Sequence, residues 1–313
     1  MKGIELARKY YEAYGAPMIR EQFPDYTEII AAGLTGSGSE CYGYDDEISG
    51  DHDFEPGFCL FIPGEDIVDR KTAFQLERAY AKLPTEFEGH RRQKMAPTGG
   101  QRHGVFRIGE YFTEKIGCLP EDMTTGRWLS VPDWALAEAV NGEMFRDDAG
   151  LMEDQRDILR NMPEDVRKKR LAGHLLMMAQ SGQYNYMRCV KRGETGAAQL
   201  AAGEFVRHAM AAAFLLERRC MPYYKWSFRA LRELAGGEDM GRSAEWLLTT
   251  GNDEKTAEEK YFCMEGIAAE MIDKLQGQGL TEALCGDLEK HAYSVNDGIR
   301  DSTVRNMNIL ACC

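Results

Sequence analysis

The chain has 313 residues, of which 38 are Lys or Arg and 51 are Asp or Glu, so its formal net charge is −13 with His neutral. Hydrophobic residues make up 43% and charged residues 28%, which is ordinary for a soluble globular protein and excludes disordered, collagen-like and mucin-like classes. At roughly 100 to 200 residues per domain, the length favours two domains over one. The acidic balance offers a long nucleic acid or an anionic lipid surface no general attraction.

No stretch of the chain is long and apolar enough to be a membrane span. The longest apolar run covers residues 209–216, whereas a span needs about 20 apolar residues. The N-terminus mixes charged with apolar side chains and lacks the apolar segment of a signal peptide. The sequence therefore predicts a cytoplasmic protein without a membrane partner. Its nine cysteines show no C-x-x-C spacing, which predicts free thiols rather than disulfides or a zinc site.

Residues 1–150 alternate strand-like and helix-like patterns. A helix is predicted over 4–14, and strands are predicted over 29–35, 54–62 and 105–108. Further helices are predicted over 66–83 and from Pro132 onward. We expect this half of the chain to form a domain with a sheet and flanking helices.

The pattern of residues 151–313 is typical of successive helices. Pro163 is predicted to open a helix with acidic residues in its first turn. Further helices are predicted over 171–190, 195–219, 223–235, 242–249, 254–275 and 280–292. We expect a helical bundle, with the basic residues 167–170 solvated and with His174 and His208 in or near the core.

The segment that follows the strand at 29–35 contains the candidate chemistry. Residues 36–39, Gly-Ser-Gly-Ser, form a small-residue turn whose backbone N–H groups and hydroxyls can hold a phosphate. Asp51 and Asp53 follow at positions i and i+2, which on a strand places both carboxylates on one face, roughly 6.6 Å apart along the backbone. His52 then points to the other face. Carboxylates at this spacing can share one or two Mg²⁺ ions, because hard cations prefer oxygen ligands.

A Gly-Ser turn, a connecting loop and an Asp-x-Asp strand resemble the signature of the DNA polymerase beta-like nucleotidyltransferase superfamily. Here eleven residues separate Ser39 from Asp51. The wider pattern is similar to a bacterial branch of that superfamily that carries a domain-of-unknown-function label. Residues 142–147 and 222–226 also resemble this branch, so the resemblance spans about residues 30–235.

The resemblance implies an α+β fold class. A nucleotidyltransferase domain with a mixed sheet and flanking helices would occupy residues 1–150, followed by an all-α helical bundle domain over residues 151–313. The bundle would be similar to that of kanamycin nucleotidyltransferase, and the active site would lie between the two domains.

By the same resemblance, Gly38 and Ser39 bind the triphosphate, while Asp51 and Asp53 are the catalytic residues and metal ligands. Mg²⁺ is the expected cofactor, and a nucleotide triphosphate, ATP foremost, is the expected co-substrate. The enzyme would transfer a nucleoside monophosphate to an acceptor, with a small molecule favoured over a protein. Lys225 is expected to contact the triphosphate, although its helix could equally be a surface helix with snorkelling basic side chains.

Two features of the sequence leave alternatives open. Residues 36–37 form a competing Gly-Ser pair, although residues 38–39 fit the following Glu better. The superfamily also supplies a third carboxylate from a neighbouring strand, and the candidate strand at 105–108 contains none. Glu110 lies just beyond that strand, two positions after Ile108, so on a continued strand both side chains would point to the same face. It is the candidate for third ligand or base.

If the third carboxylate is missing, the rival interpretation is a non-catalytic nucleotide-binding or regulatory protein, antitoxin-like, that keeps the nucleotidyltransferase fold. A metal-dependent phosphohydrolase that uses Asp51, His52 and Asp53 is a third interpretation. It is less favoured because no separate pair of histidines stands at ligand spacing.

Overall fold

The computed structural model describes residues 1–48, 55–92 and 102–312. The chain divides into two compact units. The first unit comprises Met1–Met123 and Ala135–Asn161, and the second comprises Thr124–Trp134 and Met162–Cys313. Among the described residues, no helix combines the length and the apolar character needed to cross a membrane.

The first unit contains a four-stranded mixed sheet. Its strands are β1 (Ala31–Leu34), β2 (Cys59–Ile62), β5 (Gly104–Arg107) and β6 (Glu143–Arg146), in the order β5-β2-β1-β6. Strand β1 is antiparallel to β2 and β6, whereas β2 is parallel to β5. The predicted strands at 29–35, 54–62 and 105–108 are confirmed as shorter strands, and β6 was not predicted. A separate hairpin of β3 (Glu86–Phe87) and β4 (His90–Arg91) was not predicted either.

Helices cover this sheet and bury its apolar side chains. They are α1 (Gly3–Tyr10), α2 (Ala16–Gln22), α3 (Arg70–Ala81), α4 (Ile108–Ile116), α6 (Asp133–Val140) and α7 (Leu151–Arg160), and a π-helical turn, Tyr11–Gly15, joins α1 to α2. Helix α3 begins after Asp69, whose carboxylate accepts the backbone N–H of Thr72 and so caps the first turn. The core between helices and sheet includes Tyr10, Ile19, Phe58, Leu60 and Leu76.

The second unit is built from helices. They are α5 (Thr125–Ser130), α8 (Glu164–Met178), α9 (Met187–Lys191), α10 (Thr195–Leu216), α11 (Tyr224–Arg232), α12 (Gly237–Thr249), α13 (Glu254–Gly277), α14 (Leu288–Asp297) and α15 (Ser302–Asn306). The predicted fold class, an α+β region with a mixed sheet followed by an all-α region, is confirmed. The helix predicted over 280–292 is displaced, because the Asp287 carboxylate accepts the N–H of Glu289 and starts α14 there.

The prediction that residues 167–170 are solvated is wrong for three of the four. Arg167, Lys169 and Arg170 are 2%, 0% and 3% exposed. Arg167 donates to the Leu215 carbonyl, and Arg170 pairs with the Asp133 carboxylate at 2.7 Å. Helix α8 packs against α5, α10, α14 and α15, and its buried basic side chains bond to oxygens of other segments and, for Arg167, also to Glu164 on the same helix.

The prediction that His174 and His208 belong to the core is confirmed. Both are buried, and their Nδ1 atoms lie 2.8 Å apart, which is the distance of a hydrogen bond between the two rings. Burial lowers the pKa of both imidazoles. The pair is therefore neutral at physiological pH.

Candidate functional site

The candidate site lies at the edge of the sheet where β1 ends and where β2, β5 and β6 begin. The strand pairings establish this edge: Gly33 of β1 stands opposite Cys59, Leu34 stands opposite Glu143, and Cys59 stands opposite Gly104. Residues 36–39, 55–58, 102–103 and 141–142 follow or precede these strands, so all four segments meet here. We call this edge the turn edge and residues 36–39 the Gly-Ser turn.

The Gly-Ser turn is fastened to the loop before β6. Gly36 has φ +126°, a conformation that favours glycine. The side-chain amide of Asn141 bonds both of its backbone groups: Oδ1 accepts the Gly36 N–H at 2.9 Å, and Nδ2 donates to the Gly36 carbonyl at 2.7 Å. Of the two Gly-Ser pairs, the 36–37 pair is thus engaged with the protein at Gly36.

The second half of the turn is closely packed yet keeps free donors. A Cβ on Gly38 would stand 2.1 Å from Glu40 Oε1, so a larger residue would displace that side chain. The buried Ser39 donates its hydroxyl to Glu40 Oε2 at 3.4 Å. Within the described part of the chain, no hydrogen bond uses the backbone N–H of Ser37, Gly38 or Ser39 as its donor. Three consecutive N–H groups of this kind are a typical cradle for phosphate oxygens.

Two cations lie beside the turn, each paired with a buried carboxylate. Arg102 Nη2 is 2.8 Å from Glu40 Oε1, and Lys115 Nζ is 3.3 Å from Glu138 Oε2. Lys115 Nζ also lies 3.9 Å from the point where a Cβ on Gly36 would stand. Sequence reasoning missed Lys115, because no helix was predicted between the strand at 105–108 and Pro132; the structure has α4 there, with Lys115 in its last turn.

A contact between a carboxylate and an imidazole lies at the same edge. Glu55 Oε1 lies 3.4 Å from His103 Nδ1. Gly57 permits this approach, because a Cβ there would stand 2.4 Å from the same ring nitrogen. The described residues contain no group of three or more His, Cys, Asp and Glu side chains that could hold a metal ion.

Hydroxyl and thiol groups near the turn stay protonated. Burial raises the pKa of Tyr111, whose hydroxyl lies 3.0 Å from Thr35 Oγ1. Burial also raises the pKa of Cys41 well above its ordinary value and that of Cys59 to about 12. Since a thiolate is the reactive form, these two cysteines are not nucleophiles at neutral pH.

The predicted site residues have different outcomes. Gly38 and Ser39 stand together at the turn edge of the first unit. Asp51 and Asp53, with His52 between them, lie outside the described residues. Lys225 is exposed near the start of α11 in the second unit, with Nζ 4.8 Å from the centre of the Trp226 ring.

The strand-parity reasoning for Glu110 is wrong. The sheet ends at Arg107, whose guanidinium donates to the carbonyls of Pro63 and Val68, and α4 begins at Ile108. Glu110 is exposed in the first turn of α4, next to the end of β5 opposite the turn edge. Period-2 geometry does not apply to a helical residue, so the sequence argument for a third carboxylate at this position no longer holds.

Comparison with known proteins gives two similarities. A family model described as a domain of unknown function (DUF4037) matches residues 128–227, within the span over which such a similarity was expected. The crystal structure of a nucleotidyltransferase-like protein from Exiguobacterium sibiricum 255-15 is 14% identical, over 85% of this chain and 77% of that chain, with a TM-score of 0.37. No curated protein matches the chain. Function therefore has to be inferred from the turn edge itself.

Proposed function

We propose that this protein is a nucleotidyltransferase that moves a nucleoside monophosphate from a nucleotide triphosphate, with ATP as the expected co-substrate, to a small-molecule acceptor. One observation supports this above the others: the Gly-Ser turn lies at the same sheet edge as the segment through which the chain enters β2. Asp51 and Asp53 precede β2 by eight and six positions. The two halves of the sequence signature thus lead to one edge.

The described side chains suit a triphosphate at this edge. The N–H groups of residues 37–39 can donate to phosphate oxygens, and the Ser39 hydroxyl can do the same if it leaves Glu40. Lys115 and Arg102 supply positive charge beside the turn. In phosphoryl transfer, positioning and charge neutralisation account for most of the catalysis, which is what such a cradle provides.

Mg²⁺ belongs to this proposal through Asp51 and Asp53, which are the residues proposed to hold it. When bound, the ion would neutralise phosphate charge and orient the reacting groups. In the proposed reaction, the acceptor oxygen attacks the α-phosphorus and loses its proton, and pyrophosphate leaves. The net charge of −13 favours a small acceptor over a long nucleic acid.

Two lysines compete for the contact to the triphosphate. Lys225, the residue implied by the resemblance, belongs to the second unit, and Lys115 stands beside the Gly-Ser turn in the first. We expect Lys115→Met to raise the KM for the triphosphate by about tenfold, as for loss of one charge-assisted bond. Lys225→Met serves as the comparison: an effect there and none at Lys115 would favour Lys225 as the contact to the triphosphate.

A non-catalytic nucleotide-binding protein is the second candidate. It is favoured by the charge pairing at the turn edge, where Glu40 stands beside Arg102 and Glu138 stands beside Lys115. In addition, the sequence from residue 93 to residue 107 contains no Asp or Glu that could serve as a third carboxylate. Such a protein would bind the triphosphate without turning it over.

The deciding experiment is a turnover assay with α-labelled nucleotide triphosphates, Mg²⁺ and a library of small acceptors. A transferase releases pyrophosphate and labels an acceptor, and both signals disappear in Asp51→Asn/Asp53→Asn. Binding without pyrophosphate release would favour the non-catalytic candidate. Release of inorganic phosphate without a labelled acceptor would point to the phosphohydrolase.

A further inference from the structure

The loop between α6 and β6 holds the Gly-Ser turn through one side chain. Asn141 Oδ1 accepts both the Gly36 N–H, at 2.9 Å, and the Thr35 hydroxyl, at 3.1 Å. Its Nδ2 donates to the Gly36 carbonyl at 2.7 Å. A single amide therefore determines where both backbone groups of Gly36 point.

Asn141 is itself held in place by a buried cation. Arg156, on α7, is 1% exposed, and its Nη2 donates to the carbonyls of Val140 at 2.7 Å and Asn141 at 2.6 Å. Its Nη1 is paired with Glu153, one turn earlier on the same helix. These charge-assisted bonds from Nη2 anchor the loop backbone at 140–141.

The same loop meets the end of β1 at very short range. Gly142 has φ +70°, and a Cβ there would stand 1.9 Å from the Leu34 carbonyl oxygen. Glycine alone permits this approach without a shift of the backbone. Arg156 on one side and β1 on the other thus fix the position from which Asn141 reaches the turn.

The contact to the Gly36 carbonyl has a consequence for the donors of the turn. In an ordinary turn, the carbonyl of residue i accepts the N–H of residue i+3, which here would join Gly36 to Ser39. Asn141 Nδ2 donates to that carbonyl, and among the described residues no bond joins the Ser39 N–H to it. Because a carbonyl oxygen has two lone pairs, Asn141 acts by fixing the direction of the Gly36 carbonyl and not by filling it. Within the described part of the chain, the Ser39 N–H is thus available to an external acceptor, next to those of Ser37 and Gly38.

We propose that Asn141, anchored by Arg156, is a positioning residue that keeps the Gly-Ser turn open toward the phosphates of the nucleotide. Asn141 acts through Gly36 and does not touch the ligand. This role rests on the proposed function of the turn, and it adds two residues that lie more than 100 positions away from it in the sequence.

The test compares Asn141→Ala with a matched control, Arg107→Met. Arg107 also anchors a loop of the first unit by two bonds to carbonyls, of Pro63 and Val68, but at the opposite end of the sheet. Both variants remove partly buried polar anchors, so urea unfolding identifies conditions under which each is fully folded. Affinities for Mg·ATP and for inorganic tripolyphosphate are then measured by calorimetry under those conditions.

We expect Asn141→Ala to weaken the binding of both ligands at least tenfold, whereas Arg107→Met stays within twofold of wild type. Arg156→Lys should show an intermediate loss, because an ammonium can replace only part of the fork of hydrogen bonds. Unchanged binding by a folded Asn141→Ala would refute the positioning role alone. Absence of binding by the wild type would refute the proposed function, and the positioning role with it.

Discussion

Lys169 gives a quantitative prediction for the second unit, because its side chain is fully buried and its ammonium group bonds to neutral oxygens of the described residues. Nζ donates to Asn296 Oδ1 at 2.8 Å, to the Arg305 carbonyl at 3.1 Å and to the Met307 carbonyl at 2.6 Å. In Lys169→Met the side chain fills similar space but offers no donor. The Arg305 carbonyl keeps a second donor, Asn296 Nδ2 at 3.3 Å, so two acceptors lose the donor they have in wild type.

The size of the effect follows from those two acceptors. Each buried acceptor left without a donor costs about 1–3 kcal/mol, and removal of a buried charge returns part of that cost. We therefore expect Lys169→Met to lower the free energy of unfolding of the second unit by about 2–4 kcal/mol. The neighbouring Lys168 is the matched control. It donates to the Gly298 carbonyl at an exposed position, so Lys168→Met should cost less than about 1 kcal/mol.

Urea unfolding followed by circular dichroism measures both variants. Because the two units can unfold separately, hydrogen exchange of peptides from residues 296–312 should accompany it, and we expect faster exchange there only in Lys169→Met. Equal unfolding free energies for the two variants, or exchange unchanged in both, would refute the account of buried cations in α8.

Three further predictions concern the pH dependence of stability, the effect of replacing Gly142 and the reactivity of the cysteine thiols. Burial lowers the pKa of His208 from 6.5 to about 4, so the folded state loses stability as the pH falls below 6.5. Between pH 8 and pH 5, the free energy of unfolding measured in urea should fall by about 2 kcal/mol more for the wild type than for His208→Gln. An identical fall in the two proteins would contradict this. Gly142→Ala forces a Cβ toward the Leu34 carbonyl and should lower the unfolding free energy by about 2 kcal/mol or more, whereas an unchanged midpoint would argue against the close approach. Because burial raises the pKa of Cys59 to about 12, a thiol reagent at neutral pH should label the exposed Cys285 first, and mass spectrometry that finds equal rates would contradict the burial.

Local patterns in the sequence predicted the elements whose signals are themselves local. The helix after Pro163 and the strand before the Gly-Ser turn both appear, as α8 and β1. Strand β6 was missed because its four residues begin with an exposed Glu143 and follow the glycine at 142, a pattern that also suits a turn. Its pairing with β1 is a long-range contact, and no local pattern encodes it.

The basic residues of α8 show where local charge patterns mislead. A run of Arg and Lys normally faces water, and residues 167–170 have no hydrophobic stripe that would indicate otherwise. Their burial depends on oxygens supplied from far along the chain, such as the Leu215 carbonyl for Arg167 and the Met307 carbonyl for Lys169. A single sequence gives no signal for such partners.

The candidate site was predictable only in part, for the same reason. Gly38 and Ser39 follow from a spacing within one segment, and the structure places them at a sheet edge, where no described residue accepts their backbone N–H groups. Lys115 lies 76 positions after Ser39 in the sequence, and Asn141 lies 105 positions after Gly36. Their contribution depends on strand order, which brings α4 and the loop before β6 to the same edge.

The central claim is that the turn edge binds a nucleotide triphosphate together with Mg²⁺. Its most direct test is calorimetric titration of Mg·ATP into the wild-type protein and into Asp51→Asn/Asp53→Asn, with a metal-free titration as the control. The proposed function predicts metal-dependent binding to the wild type that is lost in the double variant. It would be contradicted by a folded wild-type protein that binds no triphosphate, or by binding that the double variant retains in full.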